Sequence, residues 1–233
     1  MAKDVIIALD FGSEAETFRF LEKFGHERPY IKVGMELYYA EGPRIVRLLK
    51  NRGHKVFLDL KLHDIPNTVG KAMRVLSSLG ADMLNLHAAG GSAMMRAALE
   101  GVTRADGTRP LLIGVTQLTS TSPETLRNEL LIDRPMEETV ARYASLAKTS
   151  GLDGIVCSPL EVQKIKAELG SSFVTVTPGI RFADSAQDDQ VRITTPEKAR
   201  EYGSDYIVVG RPITAQDDPA EAYARCKSAF LGG

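Results

Sequence analysis

Eight short apolar, β-branched runs recur along the 233-residue chain, at 5–9, 30–33, 56–60, 83–87, 111–115, 154–157, 174–177 and 206–209. Between them the apolar spacing changes to a helical period, as in Phe20, Leu21 and Phe24, or Val69, Ala72, Met73 and Leu76. A strand that is always followed by a helix rejoins its sheet in the same direction, so the sheet is parallel. Successive runs begin 20 to 43 residues apart, room for a strand, a helix and two loops. Eight such units in this length predict a closed (β/α)8 TIM barrel, one domain over residues 1–233. An open doubly wound sheet usually has fewer strands and a glycine-rich first turn, and neither GxGxxG nor a P-loop is present. Helix punctuation agrees: Ser13 with Glu16 reads as a capping box, Pro43, Pro159 and Pro196 suit first turns, and glycines such as Gly170 and Gly203 suit helix ends. The longest interval holds an elaborated loop after the fifth strand, residues 119–134, with a short helical pattern at Leu126 and Leu130.

Composition narrows the partners. With 43% hydrophobic and 25% charged residues the chain can bury a full core. Its 29 Lys and Arg balance 30 Asp and Glu, so no basic field exists to gather nucleic acid or an anionic membrane, and a small ligand is expected instead. Cys157 and Cys226 lie far apart without CxxC or zinc spacing, which predicts neither a disulfide framework nor a metal site. The first apolar run is five residues long and ends at Asp10, too short for a signal peptide or membrane span, so a cytoplasmic chain is expected.

In a (β/α)8 barrel the reactive groups stand at the C-terminal ends of the strands. The residues closing the runs here are Asp10, Lys32, Asp59 with Lys61, His87, Thr116 with Gln117, Ser158, Thr177 and Arg211. Lys32, Asp59 and Lys61 lie inside apolar runs, where an unpaired charge is costly, so they must be paired or solvated. A period of two puts Asp59 and Lys61 on one face and Leu58 and Leu60 on the other. Asp64 follows closely enough for a second carboxylate to return to the Lys61 ammonium. An isolated DxK more often makes a structural ion pair; Lys32 and Asp10 at the same rim favour a reactive site.

The seventh and eighth strands end in Thr177-Pro178-Gly179-Ile180-Arg181 and Val209-Gly210-Arg211-Pro212-Ile213. These are the two loops that commonly bind phosphate in such barrels, and each combines a glycine with a guanidinium. His26 and His54 fall on the remote rim and are expected to be solvated, while His63 and His87 are expected to make supporting hydrogen bonds. Met94 and Met95 read as helix packing.

Asp59-Leu60-Lys61-Leu62-His63-Asp64-Ile65-Pro66-Asn67-Thr68 resembles the active-site signature of the orotidine 5′-phosphate decarboxylase family. The likeness extends through Ala8-Leu9-Asp10, Lys32-Val33-Gly34, His87-Ala88-Ala89-Gly90-Gly91, Gln117-Leu118-Thr119-Ser120 and both phosphate loops. It implies a homodimer without cofactor or metal that converts orotidine 5′-monophosphate (OMP) to uridine 5′-monophosphate (UMP) and carbon dioxide. By the same resemblance Lys61 is the proton donor to C6, with Asp59 beside the departing carboxylate. Lys32 and Asp10 hold Lys61 and the ribose hydroxyls, and Asp64 and Thr68 reach into the neighbouring subunit's site. Thr119 contacts the base, Gln190 bridges base and phosphate, Pro178 lines the site, and Arg181, Gly210 and Arg211 bind phosphate. The segment 182–190, polar and aperiodic, reads as a lid that answers to phosphate.

Two other classes stand beside this reading. A Mg-dependent sugar-phosphate decarboxylase or epimerase on the same barrel also resembles the DxKxxD pattern, but the full run from Lys61 to Thr68 and the Leu118-Thr119-Ser120 loop argue against it. A non-catalytic phosphoribosyl-ligand sensor has no use for a lysine set between carboxylates.

Overall fold

The structure, a computed structural model, describes residues 3–182 and 194–232. Its strands are β1 (Asp4–Leu9), β2 (Tyr30–Val33), β3 (Val56–Leu62), β4 (Met83–His87), β5 (Leu111–Val115), β6 (Gly154–Val156), β7 (Val174–Thr177) and β8 (Tyr206–Val209). All neighbours are parallel and β8 closes on β1, giving the (β/α)8 barrel with helices between the strands. The loop after β5 carries the helix Pro123–Asn128, seated by the buried Leu126. Ser13 caps the first helix through the Glu16 N–H, but the Glu16 carboxylate turns to the Gly12 N–H, so the capping box is half formed. Among the described residues no helix is long and apolar enough to cross a membrane.

Strand parity divides the apolar residues into two cores. Ile6, Ala8, Tyr30, Phe57, Met83, Ile113, Val176, Tyr206 and Val208 fill the barrel interior. Their alternates, among them Val5, Ile7, Ile31, Leu58, Leu84 and Ile207, pack against the helices. Two positions beyond the interior residues, four columns turn polar: Ala8 leads to Asp10, Tyr30 to Lys32, Phe57 to Asp59 and Met83 to Asn85. The same alternation that fills the barrel with hydrocarbon thus aims its polar residues into the mouth.

The helix Pro66–Ser77 begins just after the Asp59–Asp64 segment and packs on the helix Gly91–Val102. A Cβ on Gly101 would lie 2.2 Å from the Gly70 carbonyl oxygen, so only glycine permits this approach. The docking fixes where the chain leaves β3.

At the opposite rim one arrangement occurs three times. Gly80-Ala81-Asp82, Gly151-Leu152-Asp153 and Gly203-Ser204-Asp205 precede β4, β6 and β8, and each aspartate reaches back to the preceding strand. Asp82 accepts from the Val56 N–H (2.7 Å) and pairs with Lys50 (2.6 Å). Asp205 accepts from the Thr175 N–H (2.8 Å) and pairs with Lys166 (2.5 Å). Asp153 accepts from the Leu112 N–H (2.7 Å), and both its oxygens receive the Arg109 guanidinium. Asp153→Ala strands a half-buried guanidinium and a backbone donor together, and should lower stability by about 2–4 kcal/mol. The measurement is the urea midpoint at unchanged m-value; a loss under about 1 kcal/mol would remove this clasp from the account of the fold.

His54 departs from the expectation of a solvated side chain. It is 4% exposed, and its Nδ1 lies 3.0 Å from the Pro29 carbonyl oxygen. Burial holds its pKa below the usual histidine value. A histidine ahead of a strand can tuck under the sheet when a backbone carbonyl there is left to be satisfied.

Candidate active site

The barrel mouth opens as a cavity of about 370 Å³, within the size range of small-ligand sites. Asp10, Lys32, Asp59, Lys61, Thr119, Pro178, Arg181, Gly210 and Arg211 line it, joined by Gln117, Ser120 and Cys157.

One side carries a row of alternating charges. Lys32 Nζ lies 3.1 Å from Asp10 Oδ1 and 3.4 Å from Asp59 Oδ2, and Lys61 Nζ lies 2.6 Å from Asp59 Oδ1. The order is Asp10, Lys32, Asp59, Lys61, so Lys32 reaches Lys61 only through Asp59. Burial works against the Lys32 ammonium, yet Asp59 and Asp10 outweigh it and its pKa is raised. Burial likewise favours neutral Asp59, but Lys32, Lys61 and hydrogen bonds from Lys61 and Asn85 hold its carboxyl below the usual carboxylate range. Both groups are therefore ionised throughout the neutral range. A Cβ on Gly34 would stand 3.1 Å from Lys32 Nζ, so the glycine keeps room for the ion pairs.

Regular pairing would not deliver Lys61 to this place. Leu58 pairs with Leu84 and Leu62 with Leu86, so three residues of β3 stand opposite Asn85 alone. The insertion of two residues preserves parity, and the bulge is completed by Lys61 at φ +50°, a left-handed conformation that costs about 1–2 kcal/mol for a residue with a Cβ. Its backbone N–H donates to Asn85 Oδ1 (2.9 Å), while Asn85 Nδ2 donates to Asp59 Oδ1 (2.6 Å).

β5 to β8 and the segments that follow them supply the rest of the cavity lining. Gly179 turns at φ +80°, and Arg181 is buried with Nη1 donating to the Ile180 carbonyl (2.8 Å). Arg211 opens a four-residue helical turn behind Gly210, at the exposed rim of the cavity.

A family model described as Orotidine 5'-phosphate decarboxylase / HUMPS family matches residues 3–226. The chain belongs to this family. Orotidine 5'-phosphate decarboxylase of Bacillus cytotoxicus is 57% identical, covering 100% of this chain and 99% of its own. The Bacillus caldolyticus enzyme of the same name is 59% identical over 98% of this chain and 95% of its own. A crystal structure of orotidine 5'-phosphate decarboxylase from Lactobacillus acidophilus superposes with a TM-score of 0.88 at 45% identity, covering 98% of this chain and 99% of that one. An uncharacterized conserved protein from Geobacillus kaustophilus gives 0.87 at 53% identity, with 97% and 99% covered.

Not every residue expected at the mouth belongs to it. Asp64 does not return to Lys61 within this chain: it is exposed, and its Oδ1 accepts the Ile65 N–H at 2.6 Å. Thr68 is exposed on the same segment. Thr116 and Thr177 have outward parity and donate to the Val156 and Tyr206 carbonyls, and Ser158 is consumed by a capping box with Glu161. His87 rests against the His63 ring, 5.7 Å between centroids, outside the cavity lining; burial, then His63 and Lys61, lowers its pKa. Gln190 lies outside the described residues, as does the expected lid except for Phe182, which is buried beneath the Arg225 guanidinium. Asn85 is the residue that sequence reasoning passed over.

Proposed function

We infer that Lys61 protonates C6 of the pyrimidine as carbon dioxide departs, in the decarboxylation of OMP to UMP that this enzyme of pyrimidine nucleotide synthesis catalyses. The observation that carries the assignment is the Lys61 ammonium, 2.6 Å from Asp59 in a cavity whose other strands supply Arg181, Gly210 and Arg211. Loss of carbon dioxide from C6 leaves a carbanion with no adjacent π-acceptor. Fixed charge must then favour the transition state over the ground state, and an ammonium at C6 both stabilises the carbanion and quenches it. Asp59 stands beside the departing carboxylate, and Lys32 holds it there as an anion. Asp10 and Lys32 face the ribose hydroxyls, with Thr119 and Pro178 against the base.

Arg181, Arg211 and the Gly210 turn take the phosphate, whose binding energy is available far from the reacting carbon. Arg211→Ala should raise KM for OMP by about 10- to 100-fold with kcat within a few-fold, since a charge-assisted contact remote from C6 is lost. Steady-state kinetics followed by the absorbance change of OMP give both constants, and orotidine, which lacks the phosphate, is the comparison substrate. Equal kcat/KM for OMP and orotidine would remove the phosphate site. Asp10 and Asp59 are each engaged by an ammonium, which supports turnover that persists in EDTA.

A second copy of the chain completes the site in this reading. Residues 63–68 are exposed, Ile65 is 66% exposed, and Asp64 is turned away from its own Lys61. In a homodimer Asp64 and Thr68 enter the neighbour's cavity. The enzyme works in the cytoplasm, free of membrane and nucleic acid.

A further inference from the structure

We propose that Asn85 is a positioning residue for the decarboxylation, holding the Lys61 ammonium and the Asp59 carboxylate in register through the bulge of β3. The inference rests on the reading of Lys61 and Asp59 as the groups that act at the reacting carbon.

Asn85 sits in the middle of β4, inward by parity and 2% exposed, between Leu84 and Leu86. A buried amide there needs partners, and both of its polar atoms have one. Oδ1 accepts the Lys61 N–H at 2.9 Å, and Nδ2 donates to Asp59 Oδ1 at 2.6 Å. A backbone N–H can only donate and an ionised carboxylate can only accept, so the amide has one permitted orientation.

Its place in the ladder gives these bonds their consequence. Leu58 with Leu84 and Leu62 with Leu86 are ordinary pairs, and between them Asn85 alone faces Asp59, Leu60 and Lys61. The Lys61 N–H, displaced from the ladder by the bulge, finds a side-chain oxygen in place of a backbone carbonyl. That bond supports Lys61 in its left-handed conformation, φ +50°, from which the side chain meets Asp59. The second bond fixes the same carboxylate oxygen that the ammonium touches. Asn85 thereby sets where the proton donor and its counter-ion stand relative to each other without lining the cavity itself. Misplacement by about 1 Å is enough to cost two orders of magnitude in rate, while the phosphate and ribose contacts on other strands are untouched.

The test compares Asn85→Ala, Asn85→Asp and Lys61→Ala with the unaltered enzyme. Aspartate keeps the shape and the acceptor for the Lys61 N–H but sets a carboxylate against Asp59 in place of the donor. Circular dichroism checks the fold, calorimetry gives the UMP dissociation constant, and steady-state kinetics give kcat and KM for OMP. Both Asn85 variants should fold, bind UMP within about threefold of the unaltered enzyme, and lose about 100-fold or more in kcat with KM little changed. Retention of kcat within threefold in either folded variant, while Lys61→Ala is inactive, overturns the role of Asn85 alone. A loss of UMP affinity in step with kcat, or failure of both variants to fold, assigns Asn85 to the scaffold and also overturns it. An active Lys61→Ala enzyme defeats the reading of Lys61, and the positioning role falls with it.

Discussion

Lys61→Ala should yield a folded protein that binds UMP and has lost decarboxylation by about 10⁴-fold or more in kcat. Proton donation by a placed side chain contributes about 10²–10⁴, and stabilisation of developing charge by a fixed group about 10²–10³. In the proposed mechanism one ammonium supplies both, so its removal forfeits both. The fold has reason to survive. The bond that supports the bulge uses the Lys61 backbone N–H, which alanine retains, and Asp59 keeps Lys32 and Asn85 as partners. Nucleotide affinity has reason to survive as well, because Arg181 and Arg211 belong to β7 and β8 loops and make no use of Lys61. The measurements are single-turnover decay of OMP absorbance and calorimetric titration with UMP. Turnover near the original rate would refute the assignment, and loss of UMP binding with loss of turnover would show that Lys61 holds the ligand and not only the reacting carbon.

The residues proposed to carry this chemistry were legible in the sequence to different depths. Strand positions follow from local spacing, and seven of the eight runs keep their predicted starts, with β1 beginning one residue earlier at Asp4. Lys32 and Asp59 were legible because a charge inside an apolar run has few physical explanations. Asn85 occupies an equivalent inward place, but an uncharged amide raises no such alarm. Its role depends on the pairing of β3 with β4, which no window along one strand contains. The same limit hid the bulge: simple alternation brings Asp59 and Lys61 to one face, and the structure reaches that result through an inserted pair of residues and a left-handed Lys61.

Reading strand ends as a set also gathers too much. Thr116 lies between the inward Val115 and Gln117, and Thr177 follows the inward Val176, so both point at the helix layer where a neighbouring carbonyl claims the hydroxyl. Parity, applied at each end as it was within β3, separates them from the residues of the mouth. The three Gly-x-Asp turns were equally visible as a repeat. Their use was not, because each aspartate is satisfied by a strand 26 to 41 residues earlier, as Asp82 is by Val56 and Asp153 by Leu112.

Asp64 poses the opposite case, a residue whose sequence context points to Lys61 and whose own chain leads it away. If it works across a homodimer interface, two inactive proteins should make an active one. Lys61→Ala and Asp64→Ala each leave every site in their own homodimer with a lesion. In a heterodimer the cavity with intact Lys61 receives Asp64 from the Lys61→Ala subunit and is whole, while the other site carries both changes. Random exchange of equal amounts gives half heterodimers, with one of two sites intact in each, so about a quarter of the original activity should return. The exposed Ile65 beside Asp64 is the apolar contact such an interface would bury. Exchange is followed by native mass spectrometry of differently tagged proteins, and activity by OMP turnover in the same mixture. Recovery well above the sum of the separate proteins establishes the shared site; heterodimers that form in the expected proportion and stay inactive place Asp64 outside its neighbour's chemistry.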